Sequence, residues 1–379
     1  MSEIRIASFD GGGVRGIIQS VASVYIEEMI GAPILRNFHL SAGTSAGAIN
    51  AAAFTKPAGW DKPLYPAREV YSHFSEKSVS AIFKPKSSIS NNSTIRNFRI
   101  PFDADRKHAV FEAVYNRPYF QKHKEDLWLS DIEDYLLLVT TRAGKHKSLI
   151  MSTEAAKNKP TQDFKLSDAV DGSTAASGFF KLPKIYNRAG DGFILADGGF
   201  AAKNPLGIAF EEATRVWGLK HKFIAVSFGT GYQQIPYNED KLRNMSLVEV
   251  GLNDHYLFMD TQSDLVLKQA TWKENNVDLI RFDIDFDSLP KDERPNYDMT
   301  DASPENIQKL ENAARTMMGR EENKRKLQRL YDIFKDTKIP REEIVPHHMD
   351  QLRKPDIFDK ARELFTGKRI KDLTFSLDR

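Results

Sequence analysis

Ser45 stands between two glycines in Gly43-Thr44-Ser45-Ala46-Gly47, a G-x-S-x-G spacing. A serine hydroxyl can act as a nucleophile when a sharp strand-to-helix turn displays it. Such a turn needs small neighbours, because its backbone is strained and crowded. The plain alternative is a glycine-lined helix start with a packed serine. Context favours the turn: the apolar run Phe38–Ala42 precedes it and the alanine-rich stretch Ala46–Phe54 follows.

A second glycine cluster, Gly11-Gly12-Gly13-Val14-Arg15-Gly16, closes the first apolar run of the chain. Its spacing satisfies G-x-G-x-x-G. A dinucleotide site would also need an acidic residue about 20 residues on, at the end of the next strand. Ser41-Ala42-Gly43 stands there instead. A P-loop would need Gly-Lys-Ser/Thr, which is absent. The other functional reading is an oxyanion loop, in which consecutive glycines aim backbone N–H groups at a developing negative oxygen. The start of the following helix adds a positive dipole end. Arg15 would then fix the loop or meet a phosphate. A glycine turn with a solvent-facing arginine is the bland reading.

Asp197-Gly198-Gly199 ends a short apolar run late in the chain. A carboxylate in reach of a serine hydroxyl can take its proton, provided burial raises its basicity. Asp-Gly is equally a common turn. Histidine is the usual base for serine, and a Ser…Asp…His order would place one after Asp197. His221, His255, His347 and His348 qualify by position, but none follows a clear strand end. No His-Glu-x-x-His cluster and no EF-hand loop occurs, so neither a metal nor an organic cofactor is expected.

These motifs need elements to position them. Residues 4–9 read as a strand, and Ile17–Ile30 as a helix with Ile17, Val21, Val24, Tyr25 and Met29 on one face. Gly31-Ala32-Pro33 stops that helix, and Phe38–Ala42 is a second strand. Strand, helix and strand make a βαβ unit, with parallel strands and a right-handed crossover. Both glycine turns then fall at the carboxyl edge of one sheet, where open α/β sheets hold ligands. The same argument carries Asp197 to that edge, as the end of a further parallel strand. Other strands are expected at Tyr135–Thr141, Ser148–Thr153, Phe193–Ala196, Phe223–Phe228 and Leu279–Phe286. Helices are expected at Leu166–Ser177, from Pro205, over Leu247–Trp272 and beyond Ser303. Residues 56–125, rich in proline and polar runs, read as an excursion from the sheet, a lid or cap.

Composition narrows the function classes. With 379 residues the chain can bury a full core, as one large domain or two. Lys+Arg number 54 against Asp+Glu 52, so nothing demands a nucleic-acid partner. Cysteine is absent, which excludes disulfides, thiolate metal sites and a cysteine nucleophile. No basic n-region with an apolar run opens the sequence, and no stretch approaches the ~20 apolar residues of a spanning helix. A cytoplasmic protein is expected on these grounds.

Taken together, three motifs in this order resemble the patatin-like phospholipase family. Asp10-Gly-Gly-Gly-Val-Arg-Gly16 is similar to the family's oxyanion loop, Gly43–Gly47 to its nucleophile elbow, and Asp197-Gly198-Gly199 to its aspartate motif. Weaker likenesses lie at Ser173–Phe180, Asn204-Pro205, Phe228–Gly231 and Thr300–Asn306. Ser177 stands where the family often has proline. The resemblance implies an α/β fold of three layers, a mostly parallel sheet between helices. It implies a Ser–Asp dyad with Ser45 as nucleophile and Asp197 as proton acceptor. Gly12 and Gly13 would be the oxyanion donors, with Gly11 and Arg15 shaping the loop. Gly16, Gly43, Gly47, Gly198 and Gly199 would support these motifs. Residues 1–320 would form the catalytic domain and 321–379 a helical extension packed on it. The implied activity is phospholipase A-type acyl hydrolysis without cofactor, with a non-lipolytic esterase or acyltransferase as the alternative. The resemblance leaves room for a regulated bacterial effector with a small-molecule or protein activator.

A lipid substrate requires contact with a membrane surface, and residues 77–124 are the candidate for it. They hold Lys77, Lys84, Lys86, Arg96, Arg99, Arg106, Lys107, Arg117, Lys122 and Lys124 against Asp103, Asp105 and Glu112. Ile82, Phe83, Ile89, Ile95, Phe98, Ile100 and Phe102 are interleaved. Basic residues near anionic lipid contribute about 1 kcal/mol each. The alternative is a solvated cap whose apolar residues pack inward.

Overall fold

The structure is a computed structural model and describes residues 3–73, 76–83, 100–145, 147–234, 243, 247–270 and 277–335. The expectations placed on Lys84, Lys86, Ile89, Ile95, Arg96, Phe98, Arg99, His347, His348 and the side chain of His255 lie outside the described residues.

Among the described residues eight strands form the sheet: β1 (Glu3–Phe9), β2 (Leu40–Thr44), β3 (Leu136–Arg142), β4 (Lys147–Ser152), β5 (Lys184–Tyr186), β6 (Gly192–Ala196), β7 (Lys222–Phe228) and β8 (Val277–Phe282). β3, β2, β1, β7 and β8 are neighbours in that order and all parallel. Alternation along these strands builds two cores. Ile4, Ile6, Leu40, Ala42, Leu137, Val139, Phe223 and Ala225 face one side; Ala7, Phe9, Leu136, Leu138, Val226 and Phe228 face the other. A sheet apolar on both faces must be covered on both, which makes three layers.

The larger core takes α1 (Ile17–Ile30), α2 (Ala46–Ala53), α3 (Ala67–His73), α4 (Glu76–Ile82), α5 (Ala104–Phe111), α6 (Arg117–His123) and α7 (Leu166–Ser173). The smaller is covered by α8 (Leu206–Trp217) and the end of α9 (Leu247–Ala270). α10 (Pro304–Gly319) and α11 (Glu321–Phe334) return to the first face and pack on α1. Gly31 ends α1 in the left-handed region at φ 66°, where glycine is unstrained.

α1 is not the one-sided helix its periodicity predicts. Gln19, Ser20 and Ser23 are buried too. Gln19 donates to the carbonyls of Asp10 (2.8 Å) and Phe228 (2.9 Å), and Ser20 to Asn50 Oδ1 (2.8 Å). Asn50 Nδ2 in turn donates to Gln19 Oε1 at 2.8 Å. A buried polar network of this kind closes the first half of the helix from solvent and ties α1 and α2 to the end of β1. The last strand also stops short of expectation, at Phe282, because Phe286–Ser288 turns into a 3-10 helix.

The strand before Asp197 is the main departure. β6 runs antiparallel to β3, pairing Ala196 with Thr141. β4 occupies one flank of β3 over residues 137–142, so β6 must share the other flank with β2. β2 leaves that flank at Thr44, opposite Val139, and β6 ends at Ala196, opposite Thr141. The two strands therefore meet head-on, and Ser45 and Asp197 are the residues at the meeting point. An apolar run carries no sign of its direction, so the parallel assignment of this strand is corrected here.

Candidate active site

Ser45 begins α2 with φ 53° and ψ −120°, outside the ordinary regions for a residue with a side chain. Such a conformation costs about 1–3 kcal/mol and persists only where its surroundings enforce it. The flanking glycines explain how. A Cβ on Gly43 would collide with the Gly47 carbonyl, and a Cβ on Gly47 with the Phe9 carbonyl. The Ser45 N–H donates to Ser173 Oγ at 3.0 Å, and Ser173 Oγ donates to the Val139 carbonyl at 2.6 Å.

The Ser45 hydroxyl donates to Asp197 Oδ2 at 2.8 Å. The other oxygen, Oδ1, accepts the Gly199 N–H at 2.7 Å. Asp197 is 7% exposed. Burial raises its pKa to about 6, against the pull of the Gly199 N–H, the Ser45 hydroxyl and the charge of Lys107. Its N–H is held by the Ala175 carbonyl (2.9 Å) and that of Gly198 by the Ser173 carbonyl (3.0 Å). Gly198 passes so close to Val139 that a Cβ there would strike the Val139 carbonyl.

The glycine loop lies beside this pair. The Gly11 N–H is already given to the Lys203 carbonyl at 2.9 Å. Among the described residues the N–H groups of Gly12 and Gly13 meet no acceptor. Gly13 takes φ 58°, and a Cβ on it would collide with the Met299 carbonyl. Gly16 ends the turn, its carbonyl accepting from Asn50 Nδ2 at 3.2 Å. Arg15 is neither solvent-facing nor free for a phosphate. It is 1% exposed, stacked 4.1 Å from the Tyr297 ring centroid and directed at the Gly12 and Gly231 carbonyls.

Charged groups missed by sequence reasoning brace the loop from behind. Buried Asp10 pairs with Arg281 at 2.7 Å, and Arg281 pairs with Asp283 at 2.6 Å. Asp283 accepts the Gly231 N–H at 2.9 Å. Burial raises the pKa of Asp10, with Arg281 opposing it. Lys203 is paired with Asp260, which also accepts from Tyr297 at 2.5 Å.

Ser45, Asp197, Gly12 and Gly13 open onto a cleft of about 1110 Å³, its open mouth included. Its far wall is apolar and comes from the 56–125 excursion and the loop after α7: Val79, Ile82, Phe83, Val110, Phe111, Val114, Phe179 and Phe180. Phe83 and Phe102 meet edge to face at 5.4 Å, so these two pack inward. Lys107, counted above among surface cations, is 1% exposed and paired with Asp171. Part of the basic, apolar stretch is thus cleft wall and not a membrane face.

Among the described residues, His108, Glu112 and Asp168 bring ligand-type atoms within 4.8 Å of one another. His108 Nδ1 lies 3.4 Å from Asp171, which raises the imidazole pKa, and burial pushes Asp168 up to about 6. The cluster is a partly buried charge-paired group that joins α5, the residue after it and α7. No described histidine partners Ser45, whose hydroxyl belongs to Asp197.

The family model of patatin-like phospholipases matches residues 7–210, more than half of the chain. The chain belongs to the patatin-like phospholipase family. The matched span contains the glycine loop, the Ser45 turn and Asp197. Patatin-like protein 4 of Arabidopsis thaliana is 27% identical over 254 residues, covering 60% of this chain and 59% of that one. The cUMP-AMP-activated phospholipase of Escherichia coli is 28% identical over 235 residues, covering 61% of this chain and 66% of that one. The chain therefore spans about three fifths of the curated relatives it matches. VipD from Legionella pneumophila aligns over 83% of this chain and 67% of that one at TM-score 0.37 and 13% identity, too slight a likeness to bear on function.

Proposed function

We propose that this patatin-like protein is a serine lipid acyl hydrolase of phospholipase A type, acting through Ser45 and Asp197. The observation that carries the reading is the 2.8 Å hydrogen bond between them in the lining of an apolar cleft. Ser45 Oγ attacks the ester carbonyl while Asp197 takes its proton. The oxyanion faces the N–H groups of Gly12 and Gly13. The tetrahedral intermediate collapses, and the alcohol leaves with the proton held by Asp197. Water, deprotonated by Asp197, then cleaves the acyl-enzyme and frees Ser45. A carboxylate serves as base because burial has raised its pKa toward neutrality.

The test is lipid mass spectrometry on phospholipid vesicles exposed to the protein or to Ser45→Ala. Free fatty acid and lysophospholipid should accumulate with the first only. The apolar wall favours a long acyl chain. Hydrolysis of a short soluble ester with no action on vesicles would instead establish the esterase or acyltransferase reading. Among the described residues no helix is long and apolar enough to cross a membrane, and peripheral contact with the lipid surface is part of the proposal. So are an activator, tested by assaying with and without the cyclic dinucleotide in the name of the Escherichia coli relative, and a single catalytic unit over residues 1–320. α11, which follows that unit, supports an extension packed on it by burying Leu330 and Phe334 in the main core.

The raised pKa has a kinetic consequence. A base works only when deprotonated, so kcat/KM should rise with pH through a single acid limb near pH 6. A limb near the ordinary carboxylate value of about 4 would remove Asp197 as the base.

A further inference from the structure

We propose that Lys107 is a positioning residue for the Ser45–Asp197 pair, acting from the cleft wall through residues 171–175. This rests on reading that pair as the reacting groups.

The segment from Asp171 to Ala175 touches both members. Ser173 Oγ holds the Ser45 N–H, the Ala175 carbonyl holds the Asp197 N–H, and the Ser173 carbonyl holds the Gly198 N–H. Ser45 sits in a strained conformation, and Asp197 ends a strand joined to β3 by only two residue pairs. Neither is fixed by a long ladder: β3 sets where the two strands end, and the 171–175 segment holds the two residues in place there. Behind it stands Lys107 on α5. Its ammonium donates to the Asp171 carbonyl (2.9 Å) and Thr174 Oγ1 (2.9 Å), and pairs with Asp171 Oδ1 (2.7 Å). Two of the ammonium's three protons thus have acceptors on this one segment, and the Asp171 carboxylate lies against it as an ion pair. The Phe180 ring centroid lies 5.0 Å away and seals the group from water. Burial raises the pKa of Asp171, but Lys107 and His108 more than offset it and hold that carboxyl below its usual range. Lys107 is also the charged group that acts on Asp197, whose other polar neighbours are the Gly199 N–H and the Ser45 hydroxyl.

Removing Lys107 alone leaves the buried Asp171 carboxylate with His108 but without its ammonium, which is destabilising, whereas replacing both partners by apolar residues is often neutral. The experiment therefore compares wild type, Lys107→Met and Lys107→Met/Asp171→Leu. It reads thermal unfolding, ester hydrolysis, and the rate at which a fluorophosphonate probe labels Ser45 across pH by intact-mass spectrometry. The double variant should fold and label at least about tenfold slower, since a misplacement of about 1 Å can slow a reaction 10²-fold. Its kcat should fall in step, with KM kept within about twofold. The labelling midpoint should move upward from about 6, because a cation that favours the carboxylate has gone. A double variant that folds and labels at the wild-type rate and midpoint would overturn the inference and leave a structural ion pair. If wild type labels but hydrolyses no ester, the functional reading fails, and the labelling comparison still judges Lys107. A wild type that does not label would sink both.

Discussion

Ser45→Ala and Asp197→Asn should each lower kcat by at least about 10⁴-fold, and the double variant should be little worse than either, because groups that act as one unit are not additive. The 2.8 Å hydrogen bond makes them such a unit. The two losses should differ in stability. Asp197 has a folded pKa of about 6, above its ordinary 3.8. For a raised carboxyl the sign is adverse: the folded state prefers the protonated form, and stability drains away as pH rises from the ordinary value through about 6. At pH 7 the charged Asp197 thus burdens the fold, and Asp197→Asn should unfold at a higher temperature than wild type while losing activity. Calorimetry at pH 7 and pH 4 reads this, and the gain should shrink at the lower pH. Near-normal turnover in Asp197→Asn would return the search to histidine.

The glycine loop should give the second largest effect. Gly12→Ala and Gly13→Ala should each cost about 10²–10³ in kcat, the usual loss for one oxyanion donor, with KM little changed. The cause is steric. At Gly12 a Cβ would strike the Thr230 side chain, and at Gly13 the Met299 carbonyl, in a backbone already at φ 58°. Thr230 can be cut back but the Met299 carbonyl cannot, so Thr230→Gly should recover part of the loss in Gly12→Ala and none in Gly13→Ala. Gly11→Ala should be the mildest, since its Cβ would lie 3.3 Å from that of Ser45 and its N–H already serves Lys203. Steady-state kinetics on a soluble ester suffices. Wild-type kcat in Gly13→Ala would exclude the loop from the reaction.

The parts of this site legible in the sequence are those set by local crowding. Gly43, Gly47, Gly13 and Gly198 mark places where another backbone passes too near for a side chain, Gly12 one where the Thr230 side chain does, and that constraint is written in the residue itself. Short runs of small and apolar residues also reveal β1, β2 and β7, because each buries both faces. Direction and partnership were not legible. Phe193–Ala196 reads the same whichever way it runs, so the antiparallel arrival of Asp197 had no local signal. Lys107 lies in a stretch of cations and reads as one of them; its partner is 64 residues on, at Asp171. Arg281 and Asp10 are 271 residues apart. Ser173 lies in a small-residue run that explains its size but not its hydrogen bond.

The head-on meeting of β2 and β6 has a consequence for how such a chain can change. Both strands end against the same flank of β3, so the interval between Ser45 and Asp197 is gauged along one strand, from Val139 to Thr141, and not by the path of the chain between two residues 152 positions apart. β3 works as a ruler. Loops and helices of the excursion other than α5, whose Lys107 holds the 171–175 segment, can lengthen, shorten or be recast to admit a different acyl chain without altering the reading on it, so most of the cleft's shape and the calibration of the pair are free to vary separately.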